Sequence, residues 1–133
     1  MEAEKTTAAR PSRPLVLVVD DEALLAMELE MVLDEAGFEV LGPAGSVSDA
    51  LALIGGEHID AAVLDVNLHD ERSDDIADSL EACDVPFVFL TGHTREALPE
   101  RHRHRPLIAK PFRESELLGH INSLVAQRSE QVS

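Results

Sequence analysis

The sequence predicts an α/β fold: a doubly wound parallel sheet of five βα units, (βα)5, sandwiched between helices in three layers. Three observations carry this prediction. Short apolar runs rich in branched residues alternate along the 133 residues with segments of helical periodicity. The runs are apolar on both faces, as strands buried in the middle layer of a sandwich must be. Four of the five runs finish in polar residues, namely Asp20-Asp21, Asp65, Thr91 and Lys110-Pro111. Polar residues gathered at one sheet edge are the mark of an open α/β sheet with its site outside the carboxyl ends of the strands.

The elements follow in order. Residues 1–13 mix Glu2, Glu4, Lys5, Arg10 and Arg13 with Thr and Ala. They lack the apolar stretch of a signal peptide and are expected to form a disordered lead-in. The domain is expected over 14–127, with a flexible polar tail over 128–133. Leu15-Val16-Leu17-Val18-Val19 is the first strand, and Ala23–Ala36 the first helix, with Leu25, Leu29, Val32 and Ala36 on its buried stripe and Gly37 as its stop. Phe38–Leu41 is a weaker second strand. Ser46 caps a helix through Leu53 whose Ala50, Leu51 and Ile54 face inward. Ala61–Leu64 is the third strand, and Ser73 caps a short helix through Glu81 with Ile76, Ala77 and Leu80 buried. Val85–Leu90 is the fourth strand, with Pro86 at its start, where a missing N–H is tolerated. Residues 93–105 carry Pro99 and a polar, basic run, which limits them to one or two turns. Leu107–Ala109 and a helix over Arg113–Ala126, with Leu117, Leu118, Ile121, Leu124 and Val125 at helical spacing, complete the set. Right-handed crossovers give five such units the common strand order 2-1-3-4-5.

Composition narrows the function. One domain of this length buries an adequate core. With 44% hydrophobic residues but four Phe, no Trp and no Tyr, that core must be largely aliphatic. A net charge of −15 argues against nucleic acid as a direct partner, since phosphate-backbone binding needs clustered Lys and Arg. The longest apolar runs, about six residues, are too short to span a membrane. Cys83, the one cysteine, can form neither an intrachain disulfide nor a cysteine zinc site. It reads as a packing residue in a chain suited to a reducing cytoplasm.

The strand ends then define a chemistry. Each residue alone has an ordinary explanation as a helix cap, a turn former or a solvated lysine. Converging on one sheet edge, they ask for another. Carboxylates roughly 4–5 Å apart repel by a few kcal/mol per pair at an effective dielectric near 20. Either one of them takes a proton or a cation joins them. Hard oxygen ligands suit Mg²⁺. A carboxylate in that setting can attack phosphorus to form an acyl phosphate. Lys110 can supply a mobile ammonium and Thr91 a hydroxyl donor to the transferred oxygens.

Over about residues 14–127 the sequence resembles the receiver domain of bacterial two-component response regulators, a CheY-like, flavodoxin-like fold. The resemblance rests on Val18-Val19-Asp20-Asp21-Glu22, Leu64-Asp65-Val66-Asn67-Leu68, Leu90-Thr91-Gly92 and Lys110-Pro111-Phe112. It implies Asp65 as phosphoacceptor and Asp21, Asp65 and the Asn67 backbone carbonyl as Mg²⁺ ligands, with Asp20 a ligand through water. It also implies Thr91 as the switch hydroxyl, Lys110 as phosphate partner, and a cis peptide between Lys110 and Pro111. Two departures stand out. The family often has an aromatic residue three positions before the lysine, and here that position is Leu107. The end of the fourth strand, Phe89-Leu90-Thr91-Gly92-His93, is similar to a subgroup of single-domain receivers with Phe-x-Thr-Gly followed by an aromatic. His93 stands where that ring stands, so activation is expected to run through the loop after Thr91.

The expectation is a stand-alone phosphoacceptor, catalysing only its own phosphotransfer and dephosphorylation. The donor would be a sensor histidine kinase or a histidine phosphotransfer protein. Output would pass to a protein target through the face from the fourth strand to the fifth helix, or the chain would serve as a phosphate shuttle or sink. A monomer or weak dimer is expected. Asn67 and His93, two positions past Asp65 and Thr91, are expected to tune the lifetime of the phosphorylated state. Arg101-His102-Arg103-His104-Arg105 reads first as a solvated loop and second as a docking surface for an acidic segment. His58 and His69 read as surface residues. A Mg²⁺-dependent phosphohydrolase would want an acid/base carboxylate where Asn67 stands. A non-phosphorylated pseudo-receiver binding module would lack one or more of Asp20, Asp21, Asp65, Thr91 and Lys110, all of which are present.

Overall fold

A computed structural model describes residues 13–68, 71–92 and 94–132. The lead-in over 1–12, His69 and His93 therefore lie outside the described residues. The chain runs β1 (Leu15–Val19), α1 (Ala23–Glu35), β2 (Glu39–Ala44), α2 (Val47–Gly56), β3 (Ala61–Asp65), β4 (Asn67–Leu68), β5 (Glu71–Arg72), α3 (Asp74–Ala82) and β6 (Phe87–Thr91). Two 3-10 turns (Arg95–Ala97, Glu100–His102), β7 (Leu107–Ala109) and α4 (Glu114–Val132) follow. The main sheet is parallel throughout, in the order β2-β1-β3-β6-β7. Leaving aside the small β4–β5 hairpin, that is the expected 2-1-3-4-5 order.

Alternation along β1 shows why both faces are covered. Leu17 and Val19 join one buried cluster with Ala50 and Ile54 of α2 and Ile76, Ala77 and Leu80 of α3. Val16 and Val18 join the other, with Leu29 and Leu33 of α1 and Leu117, Ile121 and Leu124 of α4. The core is aliphatic except for Phe38, Phe87 and Phe89. Among the described residues, no helix is long and apolar enough to cross a membrane.

Several expected details shift. The buried stripe of α1 is Ala26, Leu29 and Leu33, one step round from the expected stripe; Leu25 and Val32 are half-buried and Ala36 is exposed. Gly37 does end this helix, at φ +97, a conformation that glycine adopts without steric cost. Leu51 on α2 points outward, while Leu53 packs against the core. Ser46 caps α2 by accepting from Asp49 N at 3.2 Å. Ser73 precedes α3, but its hydroxyl makes no cap; it donates to Val66 O at 2.9 Å and ties the helix start to the end of β3. Cys83 is exposed rather than packed, because it lies at the carboxyl end of α3. α4 continues beyond Ala126 to Val132. Arg13, placed in the lead-in by sequence, pairs with Asp34 at 3.0 Å and donates to the Gly37 and Phe38 carbonyls.

Between β6 and β7 the segment makes two short 3-10 turns, as few as the sequence predicts, and the difference lies in its burial. The run Arg101–Arg105 is not simply solvated. His102 is fully buried, with its ring 5.7 Å from that of Phe87 and 6.5 Å from that of Phe89. Imidazole supplies apolar area to the cluster and keeps one polar edge for α3.

Candidate functional site

The strand order reverses beside β1, so the crevice outside the carboxyl ends of β1 and β3 has room for a site. β1 delivers Asp20 and Asp21 to this edge and β3 ends on Asp65. β6 ends on Thr91, and Lys110 follows β7. Their placement is a consequence of register: Val19 pairs with Leu64, and Asp65 with Leu90. The next residues of neighbouring strands therefore emerge side by side.

Asp20, Asp65 and Thr91 are buried, and Asp21 is half-buried. One carboxylate oxygen from each of Asp20, Asp21 and Asp65 lies within 4.8 Å of the others. The backbone organises two of these groups: Glu22 N donates to Asp20 Oδ1 at 2.9 Å, and Asn67 N donates to Asp65 Oδ1 at 3.3 Å. Lys110 reaches across the edge, its Nζ 3.2 Å from Asp65 Oδ2, 3.6 Å from Asp20 Oδ2 and 2.8 Å from Glu22 Oε1. The Lys110–Pro111 peptide is cis, and Lys110 N donates to Thr91 O at 2.9 Å.

Crowding shows in the acid–base chemistry. Burial pushes the Asp20 carboxyl up from 3.8 to about 6, with the Asp65 charge adding to it and the Glu22 N–H and Lys110 working against it. Burial also raises Asp65, opposed by Lys110 and the Asn67 N–H. For Lys110, burial works against the charge, yet its bond to Glu22 and the charges of Asp65 and Asp20 leave it above its ordinary value.

Asp20 Oδ2 is buried without a hydrogen-bond partner among the described residues. A buried carboxylate oxygen that has the Lys110 ammonium at 3.6 Å but no hydrogen bond, beside two more carboxylates, fits a small, hard divalent cation. Asn67 sits half-buried at the start of the β4–β5 hairpin, next to Asp65. Leu107, in the position where the family often has an aromatic, pairs with Phe89 and packs on the aliphatic core.

Sequence reasoning missed three participants. Glu22 directly follows the Asp pair and makes the shortest contact to Lys110. The hairpin was too short to show a period, yet Glu71 Oε1 accepts from Val47 N at the start of α2. Arg72 Nη2 donates to Ala97 O at 2.9 Å, joining that hairpin to the segment after Thr91. The acidic spacing of Asp78 and Glu81 opposite a basic run was the one signal that could have paired α3 with that segment.

Comparison with known proteins converges on the same region. The family model described as "Response regulator receiver domain" matches residues 16–122. The transcriptional regulatory protein PdtaR of Mycobacterium tuberculosis is 34% identical over 127 residues, covering 92% of this chain and 61% of PdtaR. The phyllosphere-induced regulator PhyR of Methylorubrum extorquens is 34% identical over 101 residues, covering 73% of this chain and 38% of PhyR. This chain thus spans less than two thirds of either relative. The solution structure of SdrG from Sphingomonas melonis Fr1 superposes with a TM-score of 0.76 at 38% identity, covering 87% of this chain and 99% of SdrG.

Proposed function

The chain belongs to the response regulator receiver domain family of two-component signalling proteins, and on that premise we propose that it accepts a phosphoryl group on Asp65. The observation that carries this reading is the convergence of three carboxylates and one ammonium at the edge of β1, β3 and β7. The donor is a phosphohistidine of a sensor histidine kinase or of a histidine phosphotransfer protein. Asp65 Oδ attacks phosphorus, the P–N bond breaks, and its electron pair leaves on the imidazole nitrogen, which takes a proton from solvent. The product is an acyl phosphate on Asp65.

Each neighbour has a part. Lys110 offsets charge on the transferring oxygens, and the Thr91 hydroxyl donates to one of them once the group is in place. Asp21, Asp65 and the Asn67 backbone carbonyl would hold Mg²⁺, with Asp20 acting through water; the bound ion supplies further charge neutralisation. The Asn67 N–H holds the orientation of the Asp65 carboxylate. Asn67 and His93 set how readily water reaches the acyl phosphate.

The partners are proteins. On α1, Leu24 is 83%, Met31 59% and Met27 53% exposed, along one side of the helix that starts at the site. An apolar stripe of this kind supports a docked protein partner. Output passes through the β6–α4 face to a protein target, or the phosphoryl group is passed on or lost as in a shuttle or sink. We place the chain in the cytoplasm as a monomer or weak dimer. The test is labelling with ³²P-acetyl phosphate and Mg²⁺. Wild type should label, and Asp65→Asn should not; equal labelling of the two refutes the proposal.

A further inference from the structure

The segment between β6 and β7 starts at Thr91, and it does not float over the sheet. It is braced to the preceding helix and hairpin at three places. Arg72 Nη2 holds the Ala97 carbonyl at 2.9 Å. Asp78 of α3 accepts from Arg101 Nε at 2.8 Å and Nη2 at 2.6 Å, a bidentate pair, and also from His102 Nε2 at 2.9 Å. Arg105 Nη2 lies 3.7 Å from Glu81 Oε2, one turn further along α3, while its Cζ stacks 4.5 Å over the Phe87 ring.

Asp78 is the centre of this bracing. Two successive residues of the segment bond to its one carboxylate, and hydrogen bonds from Arg101 first and His102 second hold that carboxyl down at about 2. His102 Nδ1 is buried without a partner among the described residues. Its proton therefore belongs on Nε2, where Asp78 accepts it. Asp78, Glu81 and His102 are also close enough together to share a metal, with ligand atoms within 4.8 Å. The bidentate guanidinium already fills that role at Asp78.

We infer that Asp78 is a positioning residue for Thr91: by clamping Glu100–Arg105 onto α3 it holds the chain after β6 in the arrangement that phosphorylation of Asp65 must work against. The inference rests on the proposed phosphoacceptor role. Thr91 is buried at the end of β6, and its hydroxyl serves the phosphoryl group only if the chain leading out of the strand follows it. With Leu107 in place of an aromatic, there is no ring at that position to follow the movement. The clamp on α3 is what resists it instead, and the RHRHR run acts as a latch.

Linkage fixes the sign. A contact that favours the unmodified arrangement weakens binding of any ligand that needs the other. Removing Asp78 should therefore tighten binding of beryllofluoride with Mg²⁺, a mimic of the phosphoryl group, by about fivefold or more. Damage to the fold would weaken it.

The experiment measures beryllofluoride affinity and amide hydrogen exchange on the full chain for wild type, Asp78→Ala and Arg101→Met. Asp34→Ala removes the same charge from the exposed Arg13 pair as a control. The expected result is tighter binding and faster exchange over 94–105 in both clamp variants, with no change in Asp34→Ala. Should Asp78→Ala fail to fold, Arg101→Met decides alone, since it cuts only an exposed pair. Unchanged or weaker binding with faster exchange over 94–105 overturns the clamp while leaving the phosphoacceptor reading intact. If wild type binds no beryllofluoride, the phosphoacceptor reading falls and takes the clamp with it.

Discussion

Replacing Asp20 with Asn should make the metal-free protein more stable at neutral pH, although it removes a charged residue from the proposed centre. Asp20 is 3% exposed, and burial raises its carboxyl from 3.8 to about 6. Each tenfold change in proton affinity is worth about 1.4 kcal/mol, so ionising Asp20 inside the fold costs about 3 kcal/mol more than in the unfolded chain. Between those two values the folded state binds more protons than the unfolded state. The contribution is thus fully present below pH 3.8 and is lost as pH rises through about 6. Beyond that it is constant.

Urea unfolding in EDTA from pH 4 to 8 measures this directly. Wild type should lose about 3 kcal/mol more than Asp20→Asn across that range. The two should come together at the acid end. Mg²⁺ at pH 8 should restore stability to wild type and do far less for Asp20→Asn, because binding to the folded state alone adds to its stability. Parallel wild-type and variant curves between pH 4 and 8 would refute the reasoning. They would mean that Asp20 ionises in the fold as freely as in water.

Other outcomes follow from the same contacts. Lys110→Met removes the ammonium that lies 3.2 Å from Asp65 and 3.6 Å from Asp20; labelling by acetyl phosphate should slow about 100-fold, and a change under threefold would contradict its proposed role. Asn67→Ala leaves the backbone N–H to Asp65 in place but clears side-chain bulk beside it, so decay of the ³²P label should change severalfold with labelling capacity unchanged. His102→Ala empties a fully buried site against Phe87 and Phe89 and takes one donor from Asp78; urea unfolding should show a loss of about 3 kcal/mol, and a loss below about 1 would show that the segment does not depend on it.

What the sequence by itself determined is the sheet and the residues at its edge. Burial on both faces leaves a one-dimensional trace, continuous apolar runs such as Val16–Val19 and Phe87–Leu90, and crossover handedness reduces the possible strand orders to very few. A residue that ends a strand has a position along the sheet as soon as the strand is recognised, so Asp20, Asp65, Thr91 and Lys110 could be brought together before any coordinates. Tertiary structure alone decided which helix stripe faces in and which distant side chains meet. Packing turned α1 so that Ala26 and Leu33 are buried and Met27 and Met31 are not, a rotation that periodicity leaves open because neighbouring stripes are both apolar. The pairs Glu22–Lys110 and Asp78–Arg101 join residues far apart in the chain. No local pattern marks the first pair and only complementary charge hints at the second, since a charged side chain reads as solvated until the opposite surface is known. The run Arg101–Arg105 shows this most plainly: its polarity predicted solvent, and the aromatic cluster beneath it took His102 into the core.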